Sequence, residues 1–152
     1  MSRENVERGR RAYAALNDAY RSGDVNDLLP IAEEMWDPAI VLRTADTFVE
    51  SGEWHGYEGL LRFTSDQMQA FERMWIEPEE FIDAGDVVVV PVRFGGRARH
   101  TGIDVEFSYV HVLTVQNGKT VRIDVYESKA QALQAAGLRE YRPHRLDPQS
   151  LP

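Results

Sequence analysis

The sequence predicts an α+β protein in which N-terminal helices pack on one face of a curved, mixed or antiparallel sheet. Three observations predict it. Helical spacing of apolar residues fills the first half, strand-like apolar runs fill the second half, and a tight hairpin turn joins the last two strands. The 152 residues suffice for one domain, which we expect to span residues 1–140, with 141–152 as a loose tail.

Composition argues against several classes of function. The formal net charge of −8 disfavours nucleic acid and anionic membranes, which bind basic patches. The chain has no cysteine and four histidines, and none of the histidines has the spacing of metal ligands. No apolar run has the length of a membrane span or the pattern of a signal peptide. We therefore expect a cytoplasmic protein with no metal, no cofactor, no nucleic-acid partner and no membrane partner.

Two helices are expected at the N terminus. Apolar residues recur at spacings of three and four over 4–21, which places Tyr13 and Asn17 on the same inward face of the first helix. A Ser-Gly-Asp break then leads into a second helix over 25–36. A short apolar run over 39–44 predicts the first strand.

The next segment is a predicted loop over 46–56, followed by a third helix over 57–74. The loop carries Trp54 and His55, and it forms either a lid over a site or a loop anchored to the body by its tryptophan. The helix has an apolar stripe that includes Met68. That stripe belongs to the core, lines a pocket, or does both.

The second half of the chain is predicted to be mostly strands. A β-branched run predicts a buried strand over 87–94, and a basic, glycine-rich bend over 95–102 follows it. Asn117 and Gly118 predict a type I′ turn between two long strands. The remaining predicted elements are strands over 81–82, 104–116 and 119–127 and a short helix between Ser128 and Gly137.

The hairpin turn predicts a register for its two strands. A two-residue turn places His111 opposite Asp124 and Tyr109 opposite Tyr126, all on one face. We expect the helices to cover the other, valine-rich face, because its burial has the larger transfer free energy. The polar face then points outward and forms a dimer interface. Two alternatives stay open for the His–Asp pair: a catalytic pair with a carboxylate-oriented imidazole, or a plain surface pair.

Five short segments carry a resemblance to a known superfamily. In their order along the chain, they resemble the nuclear transport factor 2-like superfamily, in its SnoaL-like and ketosteroid-isomerase-like branch, over roughly residues 6–137. The resemblance implies a cone-shaped half-barrel with a deep apolar pocket, a homodimer joined through the outer face of the sheet, and hydrophobic ligands such as steroids and polyketides. The segments are Tyr-Ala-Ala-Leu-Asn at 13–17, Ser-Gly-Asp at 22–24, Trp-His-Gly-Tyr-Glu-Gly-Leu at 54–60, Asn-Gly-Lys at 117–119, and Val-Tyr-Glu at 125–127 running into Ala-Gln-Ala-Leu at 130–133.

The resemblance transfers little catalytic machinery. Tyr13 stands where the isomerases have a tyrosine that donates a hydrogen bond to an oxyanion. Their base aspartate falls on Arg43 and their second carboxylate on Val110, and the acid/base aspartate of the SnoaL-like cyclases falls on Val125. A lone tyrosine polarises a carbonyl group, but enolisation also needs a base. Whether the protein is an enzyme therefore stays open.

Other polar or large side chains are candidates for the pocket. We predict a catalytic role for Tyr13, and for Tyr13 and Asn17 the alternative is a satisfied core hydrogen bond. A structural role is also the alternative for the ligand-binding candidates other than Ser108. For Arg43 that alternative is a salt bridge with Glu53 or Glu127. The predicted ligand-binding residues are Asn17, Arg43, Trp54, His55, Met68, Ser108 and Glu127.

Two functions follow from these predictions. The first is binding of a small apolar ligand in the barrel pocket, with or without a cofactor-independent isomerase, cyclase or lyase activity. The second is a non-catalytic dimeric scaffold or interaction module, which the loss of the family's carboxylate positions favours. A pocket filled by side chains would count against the first.

Overall fold

The computed structural model describes residues 2–44 and 52–137. Within them, helices pack on a curved, mixed sheet that does not close into a barrel, and the predicted α+β class is confirmed. No helix in these two ranges is long and apolar enough to cross a membrane. The helices are α1 (Ser2–Ser22), α2 (Leu29–Met35), α3 (Gly56–Ala70) and α4 (Lys129–Ala135), and a 3₁₀ turn covers Val25–Leu28.

The described strands form one sheet in the order β2-β1-β7-β6-β5-β3, and β4 pairs with β5. Strands β1 and β7 run parallel, and the other neighbours run antiparallel. Helices α1 and α3 cover the concave face, whereas α4 covers part of the outer face. The strands are β1 (Trp36–Thr44), β2 (Gly52–His55), β3 (Phe71–Pro78), β4 (Ile82–Asp83), β5 (Val87–Ala98), β6 (Asp104–Gln116) and β7 (Lys119–Tyr126).

The first helix follows the prediction closely. It ends at Gly23, whose φ of +80° suits glycine and whose N–H donates to the carbonyl oxygen of Ala19 at 2.9 Å. The predicted second helix over 25–36 is instead a 3₁₀ turn followed by the short α2. Pro30 lies in the first turn of α2, where no intrahelical donor is needed.

Three boundaries differ from the sequence prediction. Residues 52–55 form β2, paired with β1, so this part of the expected loop is an edge strand; 45–51 lie outside the described residues, as does the expected tail. The third helix ends at Ala70, because the side chains beyond it alternate between the two faces of β3. The expected bend over 95–102 is strand as far as Ala98, and only the turn that follows is irregular.

The close approach at Gly95 explains why glycines occupy that strand. A Cβ at this position would lie 2.6 Å from the Trp75 ring and 2.8 Å from the carbonyl oxygen of Val105. Both distances are far below van der Waals contact. Gly95 is therefore required by packing on β3 and β6, and it does not mark a flexible segment.

The hairpin register departs from the prediction after two pairs. Gln116 pairs with Lys119 as expected, but β7 then has a bulge at Val121. Beyond the bulge His111 pairs with Val125, and Val112 pairs with Asp124. The predicted His111–Asp124 pair is wrong because one extra residue shifts β7 against β6, and such a shift exchanges the two faces.

The consequence is that β6 presents the opposite face to the helices from the one we expected. Tyr109, His111 and Leu113 lie on the concave side, against α1. Val110 and Val112 lie on the outer side, buried against α4 and its neighbours. Both faces of this strand are covered, so the valine-rich side is buried without facing the first helix.

Candidate functional site

A cavity of about 150 Å³ lies between α1, α3 and the concave face of the sheet. Most of its wall is apolar, and no Asp or Glu side chain is among its described lining residues. Desolvation therefore disfavours a cationic ligand here, because Arg8 is the charged side chain of the described lining. The apolar wall includes Ala12, Leu16, Leu42, Phe63, Phe94 and Val125.

Two polar side chains from opposite walls meet in this cavity. The hydroxyl of Tyr13, on α1, lies 2.7 Å from Nδ1 of His111, on β6. Their rings lie nearly parallel, with centroids 5.8 Å apart and an interplanar angle of 16°. Tyr13 reaches this position because it lies on the inward face of α1, and His111 reaches it because of the β7 bulge. Together we call them the Tyr13–His111 dyad.

Burial keeps both members of the dyad neutral. It lowers the pKa of His111 to about 4, because the cavity solvates an imidazolium poorly. It raises the pKa of the Tyr13 hydroxyl well above its usual value for the same reason, with a smaller contribution from Tyr20. At neutral pH the site therefore contains a neutral phenol and a neutral imidazole.

The dyad has hydrogen-bonding capacity left over. A phenol has one O–H donor, and a neutral imidazole has one N–H donor and one acceptor nitrogen. If Tyr13 donates to Nδ1, then Nε2–H of His111 remains; if Nδ1–H donates to Tyr13, the phenolic proton and a basic Nε2 remain. Among residues 2–44 and 52–137 neither side chain has another hydrogen-bond partner. In both tautomers one donor is therefore available to a ligand.

Another polar group in the lining is already satisfied by the protein. The hydroxyl of Thr64, on α3, donates to the carbonyl oxygen of Leu60 at 3.0 Å. This hydroxyl uses its proton within its own helix. The dyad therefore keeps a donor for a ligand, whereas Thr64 does not.

An aromatic cluster continues the concave surface beyond the dyad. Phe107 stacks on Phe94, with centroids 5.7 Å apart, and on Tyr109, with centroids 6.0 Å apart. Phe94 and Tyr109 line the cavity, whereas Phe107 is 37% exposed. The cluster therefore joins an exposed ring, Phe107, to two rings of the cavity wall.

Two of the predicted ligand-binding residues have clear structural contacts instead. The side-chain amide of Asn17 donates to the carbonyl oxygen of Ile76 at 2.8 Å and accepts from its N–H at 2.9 Å, which fixes α1 to β3. Arg43 lies on the outer side of β1, with Nε 4.0 Å from the Glu53 carboxylate. That contact corresponds to the salt-bridge alternative.

The other five predicted ligand-binding residues also lie outside the described cavity lining. Trp54 packs edge-on against the Phe63 ring, with centroids 4.7 Å apart. His55 is exposed, with Nε2 3.3 Å from Glu53. Met68 packs on the core, while Ser108 and Glu127 are exposed. A ligand-binding role for these residues stays a prediction.

The four predicted interface residues are divided between the two faces of the sheet. Tyr109 and His111 line the cavity, so their expected outward orientation is wrong. Asp124 is only 8% exposed on the opposite face and accepts a hydrogen bond from Nε of Arg122 at 2.9 Å. Tyr126 packs beneath α4. A dimer contact on that face stays a prediction, which the mass in solution tests.

His111, like Tyr109, was expected on the outer face and lies on the concave face instead. A signal for it was present in β6. The residues that alternate with it, from Phe107 to Val115, are as apolar as the valine side, so both faces of the strand require cover. An imidazole in the middle of such a stripe is expected to be buried.

The fold and the cavity together define a small α+β protein with a mainly apolar cavity between its helices and its sheet. The SnoaL-like domain family matches residues 10–123, and the chain belongs to that family. The expected resemblance to the nuclear transport factor 2-like superfamily, in its SnoaL-like and ketosteroid-isomerase-like branch, is thereby confirmed. A comparison with curated proteins finds no match.

Solved structures with low sequence identity share the fold. A putative SnoaL-like polyketide cyclase from Jannaschia sp. CCS1 has a TM-score of 0.69 at 18% identity, over 93% of this chain and 96% of that one. TerC, co-crystallised with polyporic acid, has a TM-score of 0.61 at 22% identity, over 88% and 99%. A Catenulispora acidiphila protein of ketosteroid isomerase-like fold, in complex with trimethylamine, has a TM-score of 0.63 at 15% identity, over 87% and 97%.

No group of three or more histidine or acidic side chains within the described ranges is arranged to hold a metal ion. The polar side chains of the described cavity lining are neutral apart from Arg8. The chemistry that the wall itself offers is hydrogen bonding, proton transfer and apolar contact.

Proposed function

We propose that the protein binds a neutral, apolar small molecule in this cavity and that the Tyr13–His111 dyad holds a carbonyl or similar acceptor oxygen of that ligand. The observation that carries the proposal is the donor that the dyad leaves available in either tautomer. A buried donor without an acceptor costs about 1–3 kcal/mol. A ligand oxygen removes that cost.

The lining supports the same class of ligand. Apolar contact contributes roughly 25 cal/mol for each Å² that binding removes from water, so most of the affinity comes from the hydrophobic wall. The dyad then fixes the orientation of the ligand, because it is a polar pair in a mainly apolar wall. A charged ligand would lose its hydration, and the counter-charge that the described lining offers is Arg8, which is partly exposed.

The family supports this function over a scaffold role. Fold relatives have been crystallised with polyporic acid and with trimethylamine, and another is described as a putative polyketide cyclase. A scaffold has no need for an internal void, whereas this chain retains one of about 150 Å³ beside two paired polar groups. A non-catalytic dimeric module remains the alternative function, and absence of binding would favour it.

A matched pair of probes tests the proposal. 2-Tetralone and tetralin have the same bicyclic framework, and only the ketone has an acceptor oxygen. Calorimetric titration should show the ketone binding several-fold more tightly than the hydrocarbon. Tyr13→Phe removes the phenolic O–H and should reduce that difference.

A cavity-filling variant locates the binding. Ala12→Phe adds a ring to the lining and should abolish binding of both probes, whereas Ala14→Phe adds the same ring to the exposed side of the same helix and should leave binding unchanged. If neither probe binds the unmodified chain, or if Ala12→Phe binds as tightly as Ala14→Phe, the proposal is wrong.

A further inference from the structure

We propose that His111 is a general base that removes a proton from the carbon beside a bound carbonyl group, while Tyr13 donates a hydrogen bond to the carbonyl oxygen. This inference rests on the proposed function, because it requires a ketone in the cavity. It goes further, since it assigns a reaction, enolisation, and a base that lies at none of the carboxylate positions expected from the family resemblance. Val110 occupies one of those positions, directly before His111, and points to the opposite face.

One tautomer of the dyad provides both groups at once. When Nδ1–H of His111 donates to the phenolic oxygen, Nε2 has a free lone pair and the Tyr13 O–H is free to donate. Accepting that hydrogen bond also makes the phenol a better donor, because hydrogen bonds in a chain polarise one another. The 2.7 Å contact therefore fixes the imidazole and prepares the phenol at the same time.

Other bases are absent from the described wall. It contains no carboxylate, and Arg8 is a cation that accepts no proton. Tyr20 also lines the cavity, but burial raises the pKa of its hydroxyl above its ordinary value, so its ionised form is scarce. His111 is thus the described lining group with a nitrogen that is unprotonated at neutral pH and has a lone pair to accept a proton.

The proposed step balances without a cofactor. The C–H bond breaks and a bond forms between that proton and Nε2; the electron pair becomes the carbon–carbon double bond of an enolate, whose oxygen accepts the hydrogen bond from Tyr13. Burial disfavours an isolated imidazolium, but here the anion forms beside it. Return of the proton to the same carbon gives exchange, and return to a conjugated carbon gives double-bond migration.

Hydrogen–deuterium exchange measures the step directly. In D₂O the protons beside the carbonyl of 2-tetralone exchange slowly with solvent, and proton NMR follows their loss. The protein should accelerate this exchange above the buffer rate. His111→Gln should reduce the acceleration by about 100-fold or more, which is the usual contribution of a positioned general base.

Two variants separate the roles. Tyr13→Phe should retain part of the exchange, because the base remains while the oxyanion donor is lost. His100→Gln removes an exposed histidine that is absent from the described cavity lining and should leave the rate unchanged. Binding of tetralin to His111→Gln, equal to that of the unmodified chain, shows that the cavity is intact in the variant.

The outcomes distinguish this inference from the proposed function. Binding of 2-tetralone without accelerated exchange, or equal exchange with His111→Gln, overturns the general-base role and leaves the binding function standing. Absence of ketone binding refutes the binding function and the base role with it.

Discussion

The structure predicts strong coupling between Tyr13 and His111 in the free energy of unfolding. Tyr13→Phe leaves Nδ1 of a buried imidazole without its partner, and His111→Leu leaves a buried phenol without an acceptor. Leaving one buried polar group unsatisfied costs about 1–3 kcal/mol. We therefore expect each single variant to lose about 1–2 kcal/mol.

The double variant should be much less affected than the sum of the single ones. Replacing both partners by apolar groups removes the unsatisfied atoms together, and such replacements are often nearly neutral. The expected coupling energy is about 1 kcal/mol or more, beyond the ~0.3–0.5 kcal/mol within which independent sites add.

Urea denaturation of the four proteins at neutral pH measures this double-mutant cycle. For a chain of this length, a change of about 1 kcal/mol also moves the melting temperature by roughly 2–4 °C, so calorimetry provides a second readout. Additive single variants would refute the hydrogen bond between the two walls. Equal m-values across the four proteins would show that the denatured state is unchanged.

Three further predictions concern pH and packing. The pKa of His111 is about 4 in the folded chain and about 6.5 when unfolded. The free energy of unfolding therefore has its full value above pH ~6.5 and falls as the pH drops toward 4. This fall should be about 3 kcal/mol larger than in His111→Leu. Gly95→Ala should cost about 1–3 kcal/mol in unfolding free energy, because its Cβ overlaps the Trp75 ring. Asn17→Ala should cost about 2 kcal/mol, because both backbone polar groups of Ile76 lose their partner.

Each of these has a matched control measured by the same urea titration. For the pH effect, parallel stability curves of the original and the His111→Leu protein would contradict the lowered pKa. Gly9→Ala should cost less than Gly95→Ala, since its Cβ meets only the side chain of Phe81, at 2.9 Å. Asp18→Ala, next to Asn17, removes only an exposed ion pair and should change stability by less than ~0.5 kcal/mol. Equal losses for Gly95→Ala and Gly9→Ala would contradict the packing argument, and equal losses for Asn17→Ala and Asp18→Ala would contradict the hydrogen-bond argument.

The order of elements was predictable because it depends on local signals. Gly23, the Asn117–Gly118 turn and the Ser128 cap occur at the expected points, with Ser128 accepting from the N–H of Gln131 at 3.1 Å. Such signals depend on a few neighbouring residues, and tertiary contacts seldom override them. The orientation of Tyr13 toward the cavity was predictable for the same reason, from the period of the first helix.

The face of β6 was not predictable from the turn alone. One unpaired residue of β7, Val121, changes which side chains of β6 share a face with those of β7 beyond the bulge. The β-branched residues around it do not distinguish a bulge from a regular pair. The expected orientation also assumed that helices cover only one face of β6, so that the face with the larger transfer free energy would be the buried one. Helix α4 covers the outer valines, which left the imidazole of His111 free to face the first helix.

The dyad also changes the comparison with the family's enzymes. Arg43 and Val110 lie on the outer side of the sheet, so two of the expected carboxylate positions do not face the cavity in this chain. Val125 does face it and is apolar. The hydrogen-bonding pair in the cavity wall is formed instead by Tyr13 and by His111, the residue that follows Val110.

Long-range ¹H–¹⁵N NMR of the histidine imidazoles, with and without 2-tetralone, tests the ligand-anchoring dyad most directly. At slightly acidic pH the nitrogens of His111 should still show a neutral imidazole with Nδ1 protonated, and the ketone should shift the Nε2 signal of His111. A His111 that is already protonated at slightly acidic pH, or whose signals do not change when the ketone is added, would contradict the buried, ligand-facing pair.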